Sequence, residues 1–370
     1  MNVFGELDKR DHEQVVFCND RESGLKAIIA IHNTTLGPAL GGCRIWPYSS
    51  EEDALRDALR LSRGMTYKSA AAGLNLGGGK AVIIGDPKTL KTEQLFRVFG
   101  RFVQSLGGRY ITAEDVGTTV QDMDWIWLET DYVTGISRTR GGSGDPSPVT
   151  AYGVFQGIKA ALKYQTDSDS IKGQTVALQG VGQVGYHLLH HLVAAGAKVV
   201  ASDVNPANLQ RAQSKFSDIE FVAAEEILDV PASIFIPCAL GGVVNDETLN
   251  RFQCPIICGS ANNVLQDEEK HSAELHKRNI LYIPDFIVNA GGLINVANEL
   301  VRYERRQAMQ QTSRIYDVVL QVLKTAEEKR ITTLQASKIL AERRIHNVGR
   351  IKHTYVGTAL ARPRTLRGLN

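Results

Sequence analysis

Three glycines, Gly180, Gly182 and Gly185, carry the spacing G-x-G-x-x-G directly after the run TVALQ and at the start of an apolar helical stretch. Asp203 closes the next strand-like run, eighteen residues past Gly185. The first glycine permits a tight turn, the second lets the backbone approach a pyrophosphate, and the third allows close helix packing. The helix start adds free N–H groups and the positive end of a dipole. Gln183 and Val184 complete the loop. Strand, glycines, helix and acid together read as a dinucleotide site. Asp203 would accept hydrogen bonds from a ribose 2'-OH and repel a 2'-phosphate, and no Arg or Lys follows it closely, so NAD is favoured over NADP.

A second candidate is Gly77-Gly78-Gly79-Lys80. A Walker phosphate loop would need Gly at position 74 and Ser or Thr at 81, where Leu74 and Ala81 stand, so ATP binding is not supported. Read as a glycine turn feeding the strand KAVII, the segment sets Lys80 at the head of an apolar run. There, desolvation would lower an ammonium pKa and make the lysine usable as an acid or base. His187 and His191 stand one helical turn apart with His190 between them, but the Glu of HExxH and a third ligand are missing. Cys254-x-x-x-Cys258 has no second pair. No metal is expected, and no GxSxG elbow offers a nucleophile.

The elements that must position these residues follow from periodicity. SSEEDALRDALRLSRGMTYK opens with Ser49 and Glu52 as a capping box and reads as a helix. Leu95 to Leu106 repeats apolar residues at helical spacing, and RYITAED follows as a strand that leaves Asp115 at its C-terminal end. GGSGDPSP, from Gly141 to Pro148, reads as a hinge, with a helix starting near Thr150. Beyond it TVALQ, KVVASD, SIFIPCA, PIICGS and ILYIPDFIV alternate with helices, the rhythm of a parallel α/β sheet. The chain has 370 residues, long enough for two domains with a cleft between them, and its 43% hydrophobic content excludes disorder.

A formal net charge of +2 gives no reason to expect nucleic acid as a partner. From Glu342 to Asn370 seven Lys or Arg stand against one acid, which reads as a solvated surface or a subunit contact. The uncharged run from Gly173 to Ala197 contains five glycines and three histidines, so it reads as strand, turn and helix and not as a membrane span. The start MNVFGELDKRDHEQ reads as neither a signal nor a transit peptide, and five scattered cysteines suit reduced thiols. A cytoplasmic location is expected.

In order along the chain, LGPALGGCR (36–44), MTYKSAAAGLNLGGGKAVIIGDP (65–87), RYITAEDVGT (109–118), GVGQVG (180–185) and NAGGLINVANE (289–299) closely resemble the glutamate, leucine, phenylalanine and valine dehydrogenase family, most of all its leucine dehydrogenase branch. The resemblance covers nearly the whole chain. It implies an N-terminal α/β substrate and oligomerisation domain over 1–148 and a Rossmann-type NAD-binding domain over 149–330, with the active site in the cleft. Residues 331–370 would form a helical segment that packs back on the first domain. It implies reversible NAD-dependent oxidative deamination of an L-amino acid to a 2-oxo acid and ammonia, in a homo-oligomer, an octamer in the leucine branch. By the same resemblance Lys68 holds the substrate carboxylate, Lys80 is the catalytic lysine, Asp115 shuttles protons, and Thr150, Asn262 and Asn289 touch the cofactor. Burial and the neighbouring Lys68 charge would both lower the Lys80 pKa.

Glutamate dehydrogenases carry a Lys before the first double glycine and a Ser in the later NAGG segment. Leu40 and Val296 occupy those places here, so an acidic side chain would be buried without partners, at a cost of several kcal/mol. Gly41, Met65, Ala113 and Leu293 complete an apolar pocket suited to branched aliphatic substrates, with Leu293 able to crowd it. A phenylalanine or tryptophan dehydrogenase is the alternative within the family. A non-catalytic nucleotide-binding regulator is the alternative outside it, and the presence of Lys68, Lys80 and Asp115 argues against that reading.

Overall fold

The computed structural model describes residues 2–351. The first unit runs α1 (Val3–Asp8), β1 (Gln14–Asp20), β2 (Leu25–Asn33), β3 (Ala39–Trp46), α2 (Glu51–Ala71), β4 (Gly77–Ile84), α3 (Glu93–Ser105), β5 (Tyr110–Glu114) and α4 (Val120–Trp127). The second runs α5 (Ser147–Thr166), β6 (Thr175–Gln179), α6 (Gln183–Ala194), β7 (Lys198–Ser202), α7 (Pro206–Lys215), β8 (Glu220–Phe221), β9 (Ile234–Pro237), β10 (Ile256–Ile257), α8 (Glu268–Lys277), β11 (Leu281–Tyr282), α9 (Asp285–Val288), α10 (Gly291–Ala297), α11 (Arg305–Ser313), α12 (Ile315–Lys329) and α13 (Thr333–Ile351). Among the described residues no helix is long and apolar enough to cross a membrane.

The first sheet has the order β1-β2-β4-β3-β5, antiparallel from β1 through β4 and parallel from β4 through β5. The second, β11-β10-β9-β6-β7-β8, is parallel throughout. Its strand order reverses direction at β6 and β9, so the loop after β6 opens at the crevice where such sheets bind ligands.

The glycines before Lys80 do not make a turn. Gly77–Ile84 is one strand, paired with β2 on one side and β3 on the other, so its backbone groups are spent on the sheet. The glycines serve packing. A Cβ on Gly78 would lie 2.2 Å from the Thr66 nitrogen of α2, and one on Gly41 would lie 1.7 Å from the Gly79 carbonyl oxygen. Helix α2 therefore lies directly on β4.

The cap of α2 is one residue later than the Ser49 and Glu52 pattern suggests: Ser50 accepts from Asp53 N at 3.1 Å, and both Ser49 and Ser50 hydroxyls donate to the Asp53 carboxylate. Helix α5 starts at Ser147, earlier than Thr150, because Pro148 fits a first helical turn whose N–H groups have no partner. ILYIPDFIV is not one strand. Pro284 stops β11, and α9 begins at Asp285.

The segment between the units is held down. The buried Glu299 carboxylate accepts from Ser143 N at 2.7 Å and from Gly135 N at 3.0 Å. Helix α13 returns to α2, where Arg344 donates to the carbonyls of Leu74 at 2.7 Å and Gly73 at 3.0 Å and to Asn75 Oδ1 at 2.8 Å, and Tyr67 donates to Glu342 at 2.8 Å. The basic stretch thus begins inside α13, and its part from 352 to 370 lies outside the described residues.

Gly78→Ala tests the contact between α2 and β4. The methyl group would overlap backbone, so the variant is expected to lose about 1–3 kcal/mol in urea unfolding. An unchanged midpoint would mean the helix has slack on the strand.

Candidate active site

Strands β4, β3 and β5 lie side by side, and each sends one charged group to the cleft. Lys80 of β4 is buried, at 4% exposure, and its Nζ lies 2.9 Å from Asp115 Oδ1. Asp115 follows β5, and its other oxygen, Oδ2, accepts from Arg44 Nε of β3 at 2.8 Å. Burial alone would raise the Asp115 carboxyl, but Lys80 and Arg44 overcome it and pull the group down to about 2. Asp115 therefore stays ionised at neutral pH.

Lys68 reaches the same cleft from the last turn of α2. Burial pulls its ammonium down to about 8, with Lys80 adding to the effect and the Asp285 and Asp115 carboxylates opposing it. Asp285 starts α9 in the second unit. Burial raises its carboxyl, while the N–H groups of Val264 and Phe286, both donors to it, and the Lys68 charge act the other way.

A cavity of about 260 Å³ joins the two units here. Leu40, Gly41, Met65, Lys68, Lys80, Ala113, Asp115, Thr150, Val184, Asn262, Asn289, Leu293 and Val296 all line it. Its lining combines charged and apolar side chains, and of the latter Leu40, Leu293 and Val296 pack with Leu76 and Ile111.

Gly180, Gly182, Gln183, Gly185 and Asp203 do not line that cavity; they form the loop at the crevice of the second sheet. Gly180 takes φ +92, a Cβ on Gly185 would lie 2.0 Å from the Gly180 carbonyl oxygen, and a Cβ on Gly182 would meet open space. Asp203 accepts from Val181 N at 2.8 Å and from Asn205 N at 2.7 Å. These features fit a dinucleotide: a glycine with open space at its Cβ, a helix start and an acid beside it. At the inner end Asn289 donates to Ser260 O at 3.2 Å and Asn262 Oδ1 at 2.9 Å, which leaves Asn289 Oδ1 buried without a partner among the described residues. An acceptor so placed suits the amide of a nicotinamide.

Sequence reasoning missed four charged groups. Arg44 stands in LGPALGGCR but was read only as part of a motif. Glu114, next to Asp115, also lines the cavity, and burial together with Asp145 and Asp122 pushes it up to about 7 against Lys91. Asp285 gave no signal beyond following a proline. Arg211 lies eight residues past Asp203, yet it reaches back to donate to the carbonyls of Val181 and Gly182, both at 3.1 Å, and lies 4.3 Å over the Tyr186 ring. Its i+8 spacing hides this. The helix-borne histidines pack on aromatic rings, His190 at 4.7 Å from Phe216 and His191 at 5.3 Å from Phe155.

Two family models match the chain: Glu/Leu/Phe/Val dehydrogenase, dimerisation domain, over residues 12–132, and Glutamate/Leucine/Phenylalanine/Valine dehydrogenase over 141–207 and 205–351. The chain is 55% identical to a leucine dehydrogenase from Thermoactinomyces intermedius over 356 residues, 96% of this chain and 97% of the relative. It is 47% identical to a phenylalanine dehydrogenase from Caldalkalibacillus thermarum, covering 92% and 93%. The crystal structure of L-tryptophan dehydrogenase from Nostoc punctiforme is similar at a TM-score of 0.81 and 46% identity, covering 94% of this chain and 99% of that one. The chain belongs to the Glu/Leu/Phe/Val dehydrogenase family of amino acid dehydrogenases, which use a nicotinamide cofactor.

The lowered Lys68 ammonium has a pH consequence. Its charge is lost as pH rises through about 8, and with it the hold on a substrate carboxylate that the family resemblance implies for Lys68. By calorimetry, a branched aliphatic acid lacking the amino group is expected to bind about tenfold more weakly per pH unit above that value. Lys68→Met should bind it weakly with no such slope. A flat profile in the unmodified enzyme would remove Lys68 as the carboxylate holder.

Proposed function

We propose that this chain catalyses the reversible NAD-dependent oxidative deamination of branched-chain aliphatic L-amino acids, leucine first and also valine and isoleucine, to the 2-oxo acid and ammonia. The observation that carries the reading is that one cavity of about 260 Å³ is lined both by Lys68, Lys80 and Asp115 and by the apolar Leu40, Leu293 and Val296. The identity to leucine dehydrogenases supports the same choice. The enzyme works as a homo-oligomer, an octamer, in the cytoplasm.

Bound NAD supplies the hydride acceptor for the substrate Cα. The protein does the rest. Lys68 pairs with the substrate carboxylate, and the apolar residues receive the side chain, so Cα is held between them. Loss of hydride leaves an iminium, which water attacks. Lys80, as the amine, takes a proton from that water and, as the ammonium, gives it to the carbinolamine nitrogen; the amine so restored then takes the hydroxyl proton as the C=O bond forms, the C–N bond breaks and ammonia leaves. Asp115 accepts a hydrogen bond from the substrate nitrogen and passes its proton on; a carboxyl held near 2 carries a proton only briefly. An acidic substrate side chain meets only Leu40 and Val296, with no donor to hold it.

NADH absorbance with NAD and a panel of amino acids tests the assignment: leucine, valine and isoleucine should react, glutamate should not. Turnover only with aromatic amino acids would overturn the aliphatic reading.

Leu40→Lys with Val296→Ser places a cation and a hydroxyl among the apolar residues. The double variant should lose kcat/KM for leucine by about 100-fold, because an ammonium is desolvated against an aliphatic chain, and gain measurable activity on glutamate. Unchanged leucine kinetics with glutamate still inert would show that these residues do not line the productive site.

Cofactor choice rests on Asp203, whose carboxylate repels a 2'-phosphate. Arg211 beside the glycine loop stands ready to attract one. Asp203→Ser is expected to narrow the NAD over NADP ratio in kcat/KM about tenfold or more. An unmodified enzyme that used both cofactors equally would refute the role of Asp203.

A further inference from the structure

The charge chain that starts at Lys80 does not end at Asp115. Arg44 Nε holds Asp115 Oδ2 at 2.8 Å, and the same guanidinium donates through Nη1 to Asp57 Oδ2 at 2.9 Å. Asp57 is itself fixed by the Tyr48 hydroxyl at 2.7 Å and by Arg60 at 3.1 Å. Arg44 and Asp115 side chains are 17% and 19% exposed. A planar guanidinium between two carboxylates has little freedom to rotate, and it fixes the carboxylate it holds.

Arg44 faces the larger opening, a cavity of about 300 Å³ that also reaches Lys68, Lys80 and Asp115, and does not line the 260 Å³ cavity where the substrate lies. It therefore acts through Asp115. With Lys80 as its sole partner, Asp115 would be a full counter-ion and would favour the lysine as ammonium. Shared with Arg44, it offers Lys80 one oxygen and part of its charge.

We propose that Arg44 is a positioning residue for deamination, which turns one oxygen of Asp115 to Lys80 and draws off enough of its charge for Lys80 to release a proton during turnover. This rests on the catalytic roles proposed above for Lys80 and Asp115. The other titratable groups that face the pair are Lys68 of α2, Cys43 of β3, Glu114 and Tyr110 of β5, and Tyr48 with Asp57 behind Arg44.

The test compares Arg44→Met and Arg44→Lys with Lys80→Ala and Asp115→Asn in the full-length enzyme, reading kcat, both KM values, NADH binding by fluorescence and the pH profile of kcat/KM. Removing a cation strengthens proton binding at every remaining group of the cluster. For Arg44→Met the acid limb should move to higher pH by about one unit and kcat should fall about 100-fold, with NADH binding unchanged. Arg44→Lys restores the charge without the fork, so its limb should return most of the way and its kcat only in part. Should Arg44→Met not fold, the lysine variant carries the test alone: reduced kcat with a small alkaline displacement of the limb supports the proposal. A limb that stays in place in a folded variant, whether kcat holds or falls, overturns it. If Lys80→Ala and Asp115→Asn are nearly as active as the unmodified enzyme, the catalytic assignment itself fails; if they are inactive while the Arg44 variants behave normally, only the role of Arg44 does.

Discussion

Helix α2 meets strand β4 with no space for a side chain between them, since a Cβ on Gly78 would fall 2.2 Å from Thr66 N. That approach brings Lys68, two residues beyond Thr66, into the same cleft as Lys80, two residues beyond Gly78. In the proposed reaction this lets one substrate meet both lysines. The three consecutive glycines of β4 weaken a strand by their backbone entropy, and the flanking strands β2 and β3 compensate by pairing it on both sides.

Placing two ammonium groups in one partly dry cleft is costly unless anions share it. Each anion comes from a different element. Asp115 is supplied by β5 in the first unit and Asp285 by α9 in the second, so charge balance at Lys68 spans both halves of the chain. Burial works against the Asp285 charge, while the N–H groups of Val264 and Phe286 and the Lys68 ammonium work for it.

The second sheet was readable from sequence because its signals are local: a strand, three glycines, a helix start and an acid occur within one βαβ unit. The first site was harder. GGGK reads as a turn, since three glycines rarely sit in a central strand, and only three-dimensional packing explains them: Gly78 lies against α2, Gly77 against the Asn33 carbonyl and Gly79 against the Tyr110 ring. The Ser49 and Glu52 spacing points one residue too early, because Ser50 is the cap and Asp53 takes both serine hydroxyls. Arg44, Glu114, Asp285 and Arg211 were passed over for one reason: what makes each of them matter is a partner distant in sequence, Asp115 for Arg44 and Lys68 for Asp285, and no spacing rule reports such pairs. The apolar residues Leu40, Leu293 and Val296 stand in one cluster with Ile111 although their segments lie more than two hundred positions apart. Their grouping was reached through the family resemblance, and periodicity alone would have left it unseen.

Arg344 of α13 ties down the loop between α2 and β4, where it takes the carbonyls of Gly73 and Leu74 and the side chain of Asn75. These acceptors belong to a segment translated some 270 residues before the arginine that satisfies them. As the chain leaves the ribosome, the first sheet can form and α2 can close its own last turn while the carbonyls of Gly73 and Leu74 still bond to water. The last helix to emerge finishes the first unit, so a nascent chain cut short before Arg344 leaves the loop after the Lys68 helix untied, however complete its own sheet has become.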